Sequence, residues 1–130
     1  MSTGPESHLG REFAEALAAK DRDRLRELIH PEIDFRALTP RRAWEATGPD
    51  EVLDIILGHW FDDSDEIRSL EQVETDAFAD RERVGYRLSV TNPEGAFLVD
   101  QQAYLNPRDG RIGWMRVLCA GYRPVAAPVA

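Results

Sequence analysis

IDFRALTPRRAWEATG (residues 33–48) runs directly into PDEVLDIILGHWF (residues 49–61). The first piece has a period of two: Ile33, Phe35 and Ala37 alternate with Asp34, Arg36 and Leu38, the pattern of a short strand. Arg42 to Thr47 continues as a second extended segment, with Pro40 at the bend between them. The second piece opens as a helix. Gly48 caps, Pro49 suits the first helical position, and Asp50 and Glu51 sit where the helix dipole favours acids. Val52, Leu53, Ile56, Leu57, Trp60 and Phe61 then form a broad apolar face, closed by the acidic run DDSDE (62–66), which reads as a solvated loop. Strand and helix periods together aim Phe35, Trp44, Leu53, Leu57 and Trp60 at one shared apolar volume of ligand size.

Upstream, Glu6 to Lys20 is rich in helix formers, with Leu9, Phe13 and Leu17 on one stripe. Asp21 or Asp23 caps a second, shorter helix whose Leu25, Leu28 and Ile29 point inward before Pro31 stops it. This places His30 at a helix C-terminus, where the dipole favours its charged form. Downstream, helical periods disappear. Leu70–Ala79, Val84–Thr91, Ala96–Leu105 and Arg111–Tyr122 alternate instead, joined by DRER, NPEG and NPRDG, and read as an antiparallel meander.

The chain has 130 residues, 42% of them hydrophobic, which fits one domain with a core able to stand without staples. The ordered core is expected from about residue 6 to 123, with a frayed tail at 124–130. A net charge of -8 argues against nucleic acid and anionic membrane as partners, since both call for a basic face. The single cysteine, Cys119, allows no intramolecular disulfide and fits a reducing compartment. With no apolar h-region in MSTGPESHLG and no later run long enough to span a bilayer, the sequence reads as cytoplasmic.

Helices first and long antiparallel strands afterwards define an α+β layer fold. The order of elements resembles the nuclear-transport-factor-2-like superfamily, which includes the ketosteroid-isomerase and SnoaL-like polyketide-cyclase families. AAKDRDRLRELIHPEIDF (18–35), GPDEV (48–52) and DGRIGWMRVL (109–118) carry the resemblance, which extends from about Glu12 to Tyr122. It implies a curved antiparallel sheet forming a cone closed by the N-terminal helices, a cystatin-like α+β barrel. It also implies a deep pocket and, in many members, a homodimer through the outer sheet face.

The isomerase branch works with a helix-borne Tyr and two sheet-borne acids. Matching KDRDRLREL (20–28) to the family's second helix puts these positions at Phe13, Ala37 and Gln101 or Gln102, none of which carries the needed group. The limonene-epoxide-hydrolase pattern needs an Arg two residues before an Asp, but Leu98 precedes Asp100. Neither mechanism is expected.

Three residues are the candidates for acid–base work. His59 follows Leu57 toward the pocket mouth, Tyr86 brings a hydroxyl inward between Val84 and Leu88, and Asp34 lies beside Arg36, Arg41, Arg42 and Glu45. Each also has a plain structural reading: a surface histidine, a packed tyrosine and a solvated ion pair. The expected ligand wall takes Phe13 and Leu17 from the first helix, and Phe35 and Trp44 from the strand pair. Leu57 and Trp60 join it from the third helix. From the meander come Tyr86, Val99, Gln101, Met115 and Cys119, if the apolar face of the fifth strand is the concave one. Gln101 would then be a buried amide in need of partners. Cys119 lacks a basic neighbour in sequence that would activate its thiol. No metal-ligand spacing is present, and no cofactor is expected. Trp114, Arg116 and Leu118 would project from the outer face and suit a homodimer contact.

Three functions fit. The first is binding of a small apolar or aromatic molecule without a catalytic set. The second is a SnoaL-like cyclase, isomerase or dehydratase acting on a hydrophobic, polyketide-like substrate. The third is a non-catalytic dimeric module.

Overall fold

The structure, a computed structural model, describes residues 8–125. Most of the expected frayed tail therefore lies outside the described residues. Pro124 is still opposite Phe97, and the Val125 N–H donates to the Ala96 carbonyl at 3.0 Å.

The apolar stripe of the first helix forms α1, Leu9–Ala18, and buries Phe13, Ala14, Ala16 and Leu17 completely. His8 provides no side-chain cap; instead the Glu82 carboxylate, reaching over from the sheet, accepts the Gly10 N–H at 3.1 Å. At the other end, Lys20 takes a left-handed conformation (φ 50°) and the Asp21 N–H donates back to the Ala16 carbonyl at 2.9 Å, a Schellman ending. Asp21 then caps α2, Arg22–Leu28, by accepting the Arg24 N–H at 3.1 Å.

The second helix stops before Pro31. Proline disfavours helical geometry at the residue preceding it, and extended backbone is already established at Ile29, the first residue of β1, Ile29–Thr39. This corrects the expected place of His30. It lies on the strand, where its Nδ1 accepts the Glu32 N–H at 2.9 Å and its Nε2 lies 3.2 Å from the Asp109 carboxylate.

Beyond β1 come β2 (Arg42–Thr47) and α3 (Pro49–Ile55), which continues as one wider turn, Ile56–Trp60. Glu51 bonds the Thr47 N–H at 2.9 Å, completing the entry to α3 that the GPDE stretch announces. Four long strands follow: β3 (Glu66–Phe78), β4 (Arg81–Asn92), β5 (Gly95–Arg108) and β6 (Arg111–Pro124). The last hairpin turns at Asp109 and Gly110, both at positive φ (53° and 78°), as an Asp-Gly turn requires.

The six strands form one sheet in the order β2-β1-β6-β5-β4-β3. The architecture is the α+β fold expected, with one difference. β1 pairs with β6 in parallel, with Phe35 beside Met115 and Ala37 beside Val117, so the sheet is mixed and remains open at β2 and β3. The three helices cover its inner face, where Val84, Leu88, Val90, Val99, Ala103, Leu105 and Met115 are fully buried. Among the described residues, no helix is long and apolar enough to cross a membrane.

Helix α1 sits so close to the sheet that a Cβ at Gly10 would lie 2.8 Å from the Val84 Cβ and 2.8 Å from a Glu82 carboxylate oxygen. Helix propensity alone would favour Ala over Gly by roughly 1 kcal/mol, whereas overpacking costs about 1–3 kcal/mol. The Val84 Cβ is fixed by a central strand, so the clash wins. Gly10→Ala is expected to lower the urea midpoint without changing the slope; a raised midpoint would show that α1 has room to move.

Candidate functional site

Helical periodicity would carry α3 straight on, but the Phe61 N–H donates to the Ile56 carbonyl at 2.9 Å, five residues back. One extra residue in this turn reorients the end of the helix, a distortion frequent at functional sites. Trp60 is turned inward and buried, while His59 stays exposed with its ring 5.2 Å from that of Trp44. Trp60 meets Trp44 edge-on at 6.2 Å and Phe35 at 6.1 Å. Trp44 is itself held on two sides: its indole N–H donates to Thr39 Oγ1 at 2.8 Å, and the Arg42 guanidinium lies 3.6 Å from its ring centre.

Across from these rings stands Tyr122 of β6. Its hydroxyl lies 2.7 Å from the Trp60 carbonyl and 3.2 Å from the carboxylate of Asp65. Asp65 is buried and also accepts from Asn92 Nδ2 at 2.9 Å. Lys20 fixes the same loop, donating to the carbonyls of Asp62 and Asp65 at 2.7 and 2.5 Å. The acidic run is thus not wholly solvated, as its composition implied. Burial raises the pKa of Tyr122, and the negative charge of Asp65 adds to the effect.

Between the two sides lies a cavity of about 220 Å³, bordered by Trp44, His59, Trp60, Phe61 and Tyr122, by Thr39 and Pro40 of the β1–β2 turn, and by Gln101, Cys119 and Gly121. Gly121 has φ +91°, and a Cβ there would come 2.9 Å from Pro40 Cγ, so the hairpin tip closes on β6 where only glycine fits. At Gln101, the amide oxygen accepts the Tyr86 hydroxyl at 2.6 Å, and both residues are buried. Burial, and secondarily Cys119, pushes the Tyr86 hydroxyl well above its ordinary pKa. Tyr86 therefore holds its proton and acts as a donor, not a base.

Five of the expected site residues border this cavity: Trp44, His59, Trp60, Gln101 and Cys119. Tyr86 stands one hydrogen bond behind it. Phe13, Leu17, Phe35, Val99 and Met115 are at most 1% exposed and pack into closed core, while Leu57 is half-buried on the helix. The expected deep pocket is therefore shallower, because these side chains fill it. Asp34 is separated from the rest. It faces the opposite side of the sheet, exposed, with its carboxylate 3.2 Å from Arg116. Tyr122, Asp65 and Gly121 were not among the expected site residues, and Pro40 was read only as a bend; Tyr122 and Gly121 lie at the end of a strand whose parity changes there, and Asp65 is hidden in a run of acids.

A larger groove of about 420 Å³ lies on the outer sheet face. Its arginines are paired, Arg87 with Asp100 at 2.7 Å and Arg83 with Asp76 at 2.8 Å, and its wall is more polar than that of the inner cavity.

No protein-family model matches the chain, and no curated protein is similar to it in sequence. Solved structures are similar in shape. A candidate isomerase from Rhodopseudomonas palustris superposes with a TM-score of 0.68 at 18% identity, covering 92% of this chain and 91% of its own. A candidate polyketide cyclase from Xanthomonas campestris pv. campestris gives 0.66 at 16% identity, covering 85% and 86%. An LEH-like epoxide hydrolase from M. tuberculosis gives 0.63 at 12% identity, covering 88% and 85%. The chain has the nuclear-transport-factor-2-like fold.

Of the positions assigned from the isomerase resemblance, Phe13, Ala37 and Gln101 lie buried on the inner side of this fold, whereas Gln102, the alternative to Gln101, is exposed. Asp100, weighed against the epoxide-hydrolase pattern, lies on the outer face, paired with Arg87.

Because Tyr86 is neutral in the folded protein above the pH at which a free tyrosine ionises, its contribution to stability is fully present below about pH 10 and is lost as pH rises further. The unfolded chain there holds fewer protons, so stability falls by about 1.4 kcal/mol per pH unit for this group. Removing the hydroxyl also leaves the Gln101 oxygen unpaired, which costs about 1–3 kcal/mol. Tyr86→Phe is accordingly expected to be less stable at pH 7 and to lose less between pH 10 and 11 than the wild type, as read by urea melts. An identical alkaline slope would show that Tyr86 ionises normally.

Proposed function

We propose that this protein binds a small, largely apolar molecule in the cavity between Trp44, Trp60 and Tyr122. The observation that carries this reading is a partly open space walled by aromatic rings, two of which are fixed by polar contacts. Trp44 is held by Thr39 and Arg42, and Tyr122 by Asp65 and the Trp60 carbonyl. Such a preformed apolar site with few polar groups is the usual form of a small-molecule pocket. Acid–base chemistry has less support. Tyr86 and Tyr122 are held protonated, and Asp34 points away from the cavity.

A second reading, a cyclase, isomerase or dehydratase, draws on the names of similar structures and on His59 at the cavity edge, where an imidazole could exchange a proton with a bound molecule. His59→Ala separates the two readings: binding unchanged and no turnover lost supports the carrier role, whereas turnover lost with binding kept supports the enzyme.

The protein is expected to gain thermal stability with neutral one- and two-ring aromatic compounds, by about 2.7 kcal/mol at 100 times Kd. Cys119→Leu, which projects into the cavity, is expected to reduce that gain at little cost in basal stability. No shift with any such compound would overturn the binding reading.

We also infer a homodimer through the outer sheet face. Leu38 and Leu118, each 56% exposed, are side by side on the parallel β1–β6 pair. Close by, Trp114 lies between the Arg81 and Arg116 guanidinium groups, 3.9 and 4.3 Å from its ring centre. Aromatic and Arg side chains around exposed leucines are the composition of an interface core. Sedimentation should give a dimer mass that Leu118→Glu converts to a monomer; a monomeric wild type at micromolar concentration would refute it.

A further inference from the structure

Gly85 stands in the interior of β4, opposite Glu74 on one side and Gln102 on the other, and neither pairing shifts register there. Its φ is not positive, and a Cβ at this position would meet only the far end of the Arg83 side chain, Nη1 at 3.4 Å. Nothing among the described residues therefore calls for glycine, which packs no side chain and weakens a strand. A strand glycine without a bulge or bend marks the close approach of something else. Gly85 borders the outer groove of about 420 Å³, together with Gln102, Leu118 and Ala120. The register adds a second observation. Gly85, Gln102 and Leu118 form one cross-strand row over β4, β5 and β6, and Leu38 of β1 continues it. The position without a side chain and the 56%-exposed Leu118 thus lie one strand to either side of Gln102.

We propose that the groove over Gly85 receives Leu118 of a second copy of this chain, the two sheets packing outer face to outer face about a two-fold axis that runs along β5 at Gln102. This rests on the homodimer inferred above and specifies its register. A two-fold axis in the interface plane, parallel to β5, exchanges β4 with β6 and β3 with β1, so each Leu118 comes over Gly85 of the partner subunit. Sheets stacked face to face lie about 10 Å apart with their side chains interdigitated, so a projecting leucine needs a bare position opposite. Charge follows the same axis. The β3 side of the outer face carries Glu74 and Asp76, whereas Arg36 on the β1 side is exposed and has no ion pair or hydrogen bond among the described residues. Arg36 lies in the row of Arg116, Tyr104, Arg83 and Asp76, so the axis brings it over the partner's acidic β3 edge. The like charges that the axis sets together, Arg83 with Arg116 and Asp100 with itself, each have an opposite charge within their own chain: Asp76, Asp34 and Arg87. An unrelated partner would have to supply both an apolar knob and a charge pattern that this face already holds in reverse.

Sedimentation equilibrium of the full chain tests the pairing by moving the bulk from one side of the contact to the other. Gly85→Leu fills the groove, and Leu118→Ala removes the side chain that enters it. Each is expected to weaken the dimer by roughly tenfold or more, since the contact occurs twice per dimer. The double variant Gly85→Leu/Leu118→Ala, which puts the leucine on β4 and the space on β6, should recover most of that loss. Urea melts at concentrations where the dimer is dissociated separate lost association from lost folding. There Gly85→Leu should unfold at a midpoint no lower than the wild type's; a lower one would overturn the claim that the chain itself leaves this position open. Single variants that weaken the dimer without recovery in the double would overturn the Leu118–Gly85 pairing. A dimer that Leu118→Glu dissociates and Gly85→Leu does not would overturn the role of the groove and leave the outer-face dimer standing. A monomeric wild type would overturn both.

Discussion

The parallel register of β1 on β6 is the constraint from which the rest of the structure follows. It joins the N-terminal half of the chain to the end of the meander, and it makes β6 a central strand, bonded to β1 on one side and β5 on the other. With Phe35 opposite Met115 and Ala37 opposite Val117, the inner faces of both strands merge into one apolar surface for the helices to cover. The same register brings the tip of the β1–β2 hairpin alongside the last residues of β6, so that Pro40 comes down on Gly121 at one side of the cavity. A shift of one residue would exchange inner for outer side chains along the strand. Arg36 and Leu38 would then enter the core.

Polar groups inside are tied to one another. The Tyr86–Gln101 bond and the Asp65–Tyr122–Asn92 set use buried hydroxyls and amides as fixed struts, and both tyrosines are held away from ionisation. The positions that the isomerase resemblance assigned to a tyrosine and two acids hold Phe13, Ala37 and Gln101 or Gln102 instead.

Much of the fold was legible because its signals are local. The Gly-Pro-Asp-Glu helix start, the Asp21 cap, the Asp-Gly hairpin and the alternation that separates Gln101 from Gln102 each depend on a few neighbouring residues. What was not legible depends on distant ones. Nothing in the sequence of β1 tells that its partner runs parallel, and periodicity cannot show whether Phe13, Val99 and Met115 line a space or fill it. Asp34 was grouped with the site because charges near in sequence look like a cluster, yet alternation on β1 already puts it on the side opposite Phe35. Asp65 looked like one more solvated acid, and only the approach of Tyr122 and Asn92 from other strands turns it inward.

The wide turn at the end of α3 has a consequence for how this family of shapes can diversify. Its fifth residue acts as a spacer in an otherwise regular coil. Deleting one residue at Gly58, which is exposed and makes no close contact, would restore ordinary helical winding and swing the following side chains by about 100° around the axis. Trp60 would leave the inner wall, and its neighbour would take its place. The loss or gain of a single codon at this turn would thus exchange one set of inner-wall residues for another.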